Sequence, residues 1–110
     1  MTKQQFPLLA QFCGAYFHQN WDLEAPDALA VIRNYIKDKS IFQVQQTINE
    51  IERLLLLSRY IDTEQLTKII EYDLQCYYNP TAYGISLRDW LIWVQISLKQ
   101  GTSKAIALSA

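Results

Sequence analysis

The chain has 110 residues, of which 50% are hydrophobic, and its 10 Lys and Arg against 11 Asp and Glu give a formal net charge of −1. A chain of this length buries roughly two-thirds of its unfolded surface, so one compact domain without disulfides or metals is expected. Near-neutral charge argues against sequence-independent nucleic-acid binding, which needs surplus Lys and Arg, and the apolar content excludes a disordered chain.

The overall pattern favours helices. Only 3 Gly and 3 Pro occur, and almost no stretch alternates apolar with polar residues as a half-buried strand would. The longest apolar runs, 54–57 and 90–94, are far shorter than the roughly 18 residues that a membrane helix needs. The first residues lack the apolar core of a secretory signal, so we expect a cytoplasmic protein in which Cys13 and Cys76 are buried thiols rather than a disulfide.

The first helix is predicted over residues 6–17, where apolar side chains recur at three-and-four spacing. Within it, Gly14 would let another helix or an aromatic ring approach the backbone closely. Residues 22–26 follow as a loop, because the residue before a proline avoids helical geometry.

Two capping signals mark the next helices. Asp27 is a typical N-cap for a helix over residues 28–37. Ser40 and Gln43 match the capping box, in which a serine oxygen accepts from an orphan amide and a glutamine side chain reaches back. The helix that follows carries an apolar seam at three-and-four spacing, formed by Ile41, Val44, Ile48, Ile51 and Leu55.

An aromatic loop is predicted between the last two helices. Asp62 or Thr63 caps the fourth helix. Residues 75–85 then form a tyrosine-rich loop, in which Asn79-Pro80 starts a turn and Gly84 adopts a positive φ.

The last helix is apolar on nearly all sides, which is typical of a central helix. We therefore expect Trp90 and Trp93 in the core. Gly101 is predicted to end this helix, and residues 102–110 to form a loose tail. The sequence thus predicts an all-α fold, with one compact domain of about five main helices over residues 1–101.

The sequence offers few residues from which an enzymatic or metal site could be built. His18 is the only histidine, with Asp22 four residues on as a second ligand, and a hydrogen-bonding role is favoured over metal binding or general-base catalysis. Phosphate-loop, Cys-x-x-Cys and Gly-x-Ser-x-Gly motifs are absent. Glu50 and Glu52 face different sides of their helix and are interpreted as solvated rather than as a catalytic pair. The chain is predicted to be no enzyme and to need no cofactor.

The charges are segregated along the chain. Residues 20–32 and 62–73 each sum to −3, so the remainder carries +5. Acids interleaved with aromatic residues suit a basic protein partner, because complementary potential steers encounter and aromatic side chains supply contact energy. Solvated helix faces and compensation of helix dipoles explain the same acids equally well. The candidate binding residues are Asp22, Glu24, Asp27, Asp62, Glu64, Glu71, Tyr72, Asp73, Tyr77 and Tyr78.

The block from Phe6 to Leu23 carries a family resemblance. It resembles the immunity proteins of bacterial contact-dependent growth inhibition (CDI) systems, small cytoplasmic proteins that neutralise a toxin delivered by a neighbouring cell. A weaker match continues to residue 98. The motif and scaffold residues of the resemblance include Gly14, Tyr16, Phe17, His18, Gln19, Trp21 and Trp90.

The resemblance implies a helical inhibitor that binds the C-terminal domain of a toxin one to one and occludes its active site. Such toxins are often nucleases with basic clefts, which accept suitably spaced carboxylates. We expect a monomer, or a one-to-one complex with the toxin, without direct nucleic-acid or membrane binding. Two alternatives stay open: a small helical enzyme or metal-binding domain around His18, Asp22, Cys76 and Tyr77, and a self-associating helical adaptor that uses the 41–55 seam.

Overall fold

The computed structural model describes residues 4–109, and within them the chain forms six α-helices and no β-strand. The helices are α1 (Pro7–Tyr16), α2 (Trp21–Glu24), α3 (Ala28–Asp38), α4 (Ile41–Leu57), α5 (Thr63–Lys68) and α6 (Leu87–Ser109). A π-helical turn, Ile69–Asp73, extends α5, and a 3₁₀ turn, Pro80–Tyr83, lies in the loop before α6. The predicted all-α fold is confirmed. None of the described helices combines the length and apolar character needed to cross a bilayer.

Three helices begin at the predicted caps. The Asp27 carboxylate accepts from an amide in the first turn of α3 at 2.8 Å, and Ser40 forms the complete capping box of α4. Asp62 rather than Thr63 caps α5, where its carboxylate accepts from the Gln65 amide and the Gln65 side chain accepts from the Asp62 amide. These caps satisfy amides that no intrahelical bond can reach.

The loop predicted over residues 22–26 overlaps the one-turn helix α2, so this prediction is wrong over residues 22–24. Ala25 is extended, with φ −144° and ψ 143°, as expected before Pro26. The steric restriction acts only on the residue immediately before the proline, and the four residues preceding it are free to form a helical turn.

The two helical glycines do not play the predicted roles. Gly14 is exposed, and a Cβ there would meet nothing within 4 Å, so the predicted close approach is wrong. Gly101 lies inside α6, where a Cβ would overlap Cδ1 of Ile36 on α3. The prediction that Gly101 ends the helix is therefore wrong, since this glycine permits close helix packing. Beyond it Thr102 is buried, and its hydroxyl donates to the carbonyl four residues earlier at 2.7 Å.

The predicted division at residue 101 rested on that helix end. Residues 102–109 continue α6, and residue 110 lies outside the described part of the chain. The prediction of a loose tail from residue 102 therefore loses the helix end on which it depended.

The core lies where α1, α3, α4 and α6 meet. Helix α6 packs against both α3 and α4, and α1 packs on α4. The α4 seam is buried along its middle and exposed at Ile41, so most of the surface proposed for self-association is covered by this chain's own helices. Trp90 is buried as predicted, whereas Trp93 is 38% exposed. The core prediction for Trp93 is wrong because α3 and α4 leave one side of α6 open.

A buried carboxylate joins α4 to the start of α1. Glu50 is 6% exposed, and it accepts from the Leu9 amide at 2.9 Å and from the Leu8 amide at 3.3 Å. The N-cap position of α1 supplies no side-chain acceptor, and Pro7 has no N–H to satisfy. Glu50 therefore caps α1 from 41 and 42 residues away along the sequence. The interpretation of Glu50 as solvated is wrong, whereas Glu52 is exposed as expected.

Glu50→Ala should lower the free energy of unfolding by about 2–4 kcal/mol, because it leaves two amides without an acceptor and opens a cavity. Glu50→Gln keeps one carbonyl acceptor and should lower it by about 1–2 kcal/mol. Urea unfolding followed by circular dichroism measures both changes. Glu52→Ala is the matched control and should stay within about 0.5 kcal/mol of the original chain; equal losses for the two alanine variants would contradict the cap.

Gly14→Ala should raise the free energy of unfolding by about 0.5–1 kcal/mol, because alanine restricts the unfolded chain and meets no neighbour in the folded one. Gly101→Ala should gain less, since its Cβ displaces the terminal methyl of Ile36. Thermal and urea unfolding of the two variants compare them directly. A larger gain at Gly101 than at Gly14 would contradict this packing.

Candidate functional site

Aromatic rings from three separate stretches of the chain meet beside the first turn of α6. Phe17 is fully buried at the centre, with ring centroids 5.8 Å from Trp21, 5.5 Å from Tyr78 and 5.6 Å from Trp90. Tyr78 stacks on Trp90 at 5.4 Å and on Tyr83 at 6.0 Å. We call Phe17, Trp21, Tyr78, Tyr83 and Trp90 the aromatic cluster. Edge-to-face and offset contacts of this kind stabilise by about 0.5–1.5 kcal/mol per pair beyond burial.

A backbone hydrogen bond ties the loop of the cluster to the end of α1. The Tyr77 amide donates to the Phe17 carbonyl at 2.9 Å. Two residues before Tyr77, Gln75 has a φ of +57°, in the left-handed region that residues other than glycine seldom adopt. Gly84 has a φ of +75°, which confirms its predicted conformation. The hydrogen bond from Tyr77 and the ring contact between Tyr78 and Phe17 hold this loop against the end of α1.

His18 organises the short turn between α1 and α2. Its Nδ1 accepts from the Asn20 amide at 3.1 Å, and its Nε2 lies 3.1 Å from Oε2 of Glu24. A neutral imidazole with its proton on Nε2 satisfies both contacts. The predicted hydrogen-bonding role is confirmed, but the acidic partner is Glu24 rather than Asp22. Among the described residues, no three His, Cys, Asp or Glu side chains group as metal ligands.

The two cysteines are buried and free, as predicted. A thiol–thiol hydrogen bond with Cys76, followed by burial, holds the pKa of Cys13 well above its usual range. A thiol kept protonated in this way is a poor nucleophile. Cys13 is therefore poorly suited to act as a nucleophile, and Cys76 is buried against it.

Four acidic candidates are engaged in local structure. Asp27 and Asp62 are N-caps, and Glu24 contacts His18. Glu64 lies 3.6 Å from Nζ of Lys68, one turn further along α5. These contacts correspond to the structural explanation that the sequence left open for the acids.

Four of the six remaining candidates line a shallow cavity next to the aromatic cluster. The cavity measures about 280 Å³ and is lined by Glu71, Tyr72, Cys76, Tyr77, Tyr78 and Asn79. Tyr72 and Tyr77 are 71% and 58% exposed. Asp22 is also exposed and follows Trp21, whose ring contacts Tyr78 at 5.4 Å, whereas Asp73 is half-buried.

We call Asp22, Glu71, Tyr72, Tyr77 and Tyr83 the acidic tyrosine surface. Tyr83 is missing from the sequence-based candidates, although its place in the tyrosine-rich loop was an available signal. It is 68% exposed and stacks on Tyr78. Burial, followed by the neighbouring Tyr83, raises the pKa of Tyr78 above its ordinary value, so this hydroxyl stays neutral near pH 7.

The other motif residues divide between framework and surface. Phe17 and Trp90 are buried and Trp21 is half-buried, whereas Gly14 and Gln19 are exposed. The motif therefore describes the aromatic framework more than a continuous surface.

Tyr16 belongs to the framework near α3. Its ring packs edge-to-face on Tyr35 at 5.0 Å, and its hydroxyl donates to Oδ2 of Asp38 at 2.9 Å. Burial, followed by the hydrogen bond to Asp38, raises the pKa of Tyr16 to about 12. The folded chain therefore favours the neutral phenol more strongly than the unfolded chain does.

This pKa predicts loss of stability in alkali. Stability from neutral Tyr16 is complete below its ordinary pKa near 10 and should be lost as pH rises through about 12. Tyr16→Phe should flatten the decline in the free energy of unfolding between these two pH values, as measured by urea unfolding at successive pH. Asp38→Asn keeps a hydrogen-bond acceptor without the charge and should shift the decline to lower pH. Identical profiles for all three chains would contradict the assignment to Tyr16.

Comparison with known proteins adds two findings. A family model described as CdiI immunity protein matches residues 5–98. A chain in the crystal structure of the CdiA-CT/CdiI complex from Y. kristensenii 33638 is similar with a TM-score of 0.78 and 23% identity, over 86% of this chain and 98% of that chain. At this identity the structural match shows a shared fold. A comparison with curated protein sequences gives no match.

Proposed function

The chain belongs to the CdiI immunity protein family, and from this we propose that it protects its host cell by binding and neutralising a CDI toxin. The family match over residues 5–98 is the observation that supports this function most directly. The partner is the C-terminal domain of a CdiA toxin, bound one to one in the cytoplasm. The chain acts by occupying the toxin, as an inhibitor and not as an enzyme.

The acidic tyrosine surface is the proposed contact face. Tyrosine provides large contact area at a low entropic cost and is enriched among the residues that dominate binding energy. Tyr77 projects from the loop that the aromatic cluster and the Tyr77–Phe17 hydrogen bond hold in place, and Tyr72 projects from the π-helical turn that buries Ile69 and Ile70. A surface ordered before binding loses less entropy when the complex forms.

The charge of this surface suits a basic toxin cleft, such as that of a nuclease. Asp22 and Glu71 are exposed, and neither forms an ion pair within the described residues. A cleft that holds phosphates presents positive potential, which attracts carboxylates and accelerates association. Direct occlusion of the active site follows if these carboxylates enter the cleft.

No structural observation specifically favours either of the two alternative functions. At the site suggested for an enzyme, Cys76 is buried and His18 is engaged by Glu24 and the Asn20 amide. The α4 seam suggested for self-association is mostly internal.

Tyr77→Ala should weaken binding of the cognate CdiA C-terminal domain by at least about tenfold, because truncation of a central interface aromatic usually costs more than 1 kcal/mol. Glu71→Gln and Asp22→Asn should mainly slow association, with smaller effects at high salt because screening removes their long-range attraction. Surface plasmon resonance at two ionic strengths measures both. Glu64→Gln, which changes an acid already paired with Lys68, is the matched control.

Two outcomes separate the function from the surface. Unchanged kinetics for all three variants, with binding retained, would move the contact face elsewhere and leave the function intact. Failure of the original chain to bind the toxin domain, or to restore growth of cells that express it, would overturn the proposed function.

A further inference from the structure

A second cavity lies between α3 and α6, away from the aromatic cluster. It measures about 410 Å³, which lies within the ~300–1,000 Å³ range of small-molecule sites. We call it the α3–α6 groove. Its α6 wall includes Gly101, eleven residues beyond Trp90, which corresponds to about 16 Å along a helix axis. The residues that line it are Leu29, Ile32, Arg33, Ile36, Lys37, Ser97, Gln100, Gly101 and Lys104.

The groove has an apolar floor because of how the two helices pack. Leu29, Ile32 and Ile36 recur at three-and-four spacing and therefore share one face of α3. Gly101 has no side chain, which lets Ile36 lie against α6 and keeps this part of the wall low. Leu29 remains 36% exposed and Ile36 is half-buried, so hydrocarbon surface is available to a ligand.

The rim of the groove is positively charged. Arg33, Lys37 and Lys104 are exposed, and within the described residues none of them forms an ion pair. Among the described residues that line the groove, none carries a carboxylate. Asp38, the acid that follows Lys37, accepts a hydrogen bond from the Tyr16 hydroxyl rather than pairing with one of these cations. Three cations above an apolar floor are complementary to a molecule with a hydrocarbon body and an anionic head.

We propose that the α3–α6 groove binds a small amphipathic anion. The hydrocarbon body lies on Leu29 and Ile36, and a carboxylate or phosphate head contacts Arg33, Lys37 and Lys104. The Arg33 guanidinium offers paired N–H donors that match the oxygens of either head group. This site is separate from the acidic tyrosine surface, and the proposal does not depend on toxin binding.

Isothermal titration calorimetry with dodecanoate and dodecyl phosphate, each below its micelle concentration, tests the proposal. We expect saturable one-to-one binding of at least one of them, and at least about tenfold weaker binding of dodecyltrimethylammonium, which carries the opposite charge. Comparison of the two anions tells whether the site prefers carboxylate or phosphate. The Arg33→Gln/Lys37→Gln chain should bind the preferred anion at least about tenfold more weakly, whereas Lys99→Gln, at an exposed α6 lysine outside the groove, should bind it equally well.

Ser97→Phe provides an independent test, because it fills the groove from a half-buried position while leaving the charges in place. Its binding should be lost while its thermal unfolding stays close to that of the original chain. The proposal is overturned if neither anion binds saturably, if the cationic amphiphile binds equally well, or if the double variant keeps full affinity.

Discussion

The buried carboxylate of Glu50 determines where α1 lies, and the candidate site depends on that position. An isolated helix of ten residues is marginal in water, and α1 has no N-cap side chain of its own. Arg53, one turn further along α4, donates to the Gln5 carbonyl at 3.0 Å and lies 5.3 Å from the centre of the Phe6 ring. Because α4 holds the beginning of α1 in this way, Phe17 at the C-terminal end of α1 lies in the aromatic cluster. The acidic tyrosine surface is thus connected to a cap at the far end of the helix.

Much of the fold could be predicted because its determinants are local. Asp27, Ser40 and Asp62 each cap an amide within the next three residues, so their signals can be read in a short window of sequence. Glu50 resembles any solvated helix residue in such a window, since the amides that it satisfies belong to another helix. Gly101 likewise carries the signal of a helix end, and only its packing against α3 shows its actual role.

The site could be predicted in composition but not in arrangement. The sum of −3 over residues 20–32 does not tell a cap from a free carboxylate, so Asp27 is counted as a binding candidate beside Asp22 although its capping signal is visible. Four-residue spacing suggested Asp22 as the partner of His18, but α1 ends before His18 and α2 begins after it. Glu24 reaches the imidazole across this turn. Helical spacing predicts neighbours only where one helix is continuous.

The separation between buried framework and exposed tyrosines has an evolutionary consequence. The packing of Phe17, Tyr78 and Trp90 does not involve the side chains of Tyr72 and Tyr77, which project outward. Substitutions at exposed positions of this kind usually change stability little, so binding specificity can change without a loss of folding stability. Relatives that share the same buried residues can therefore differ in their exposed residues, so one helical framework can carry many binding specificities.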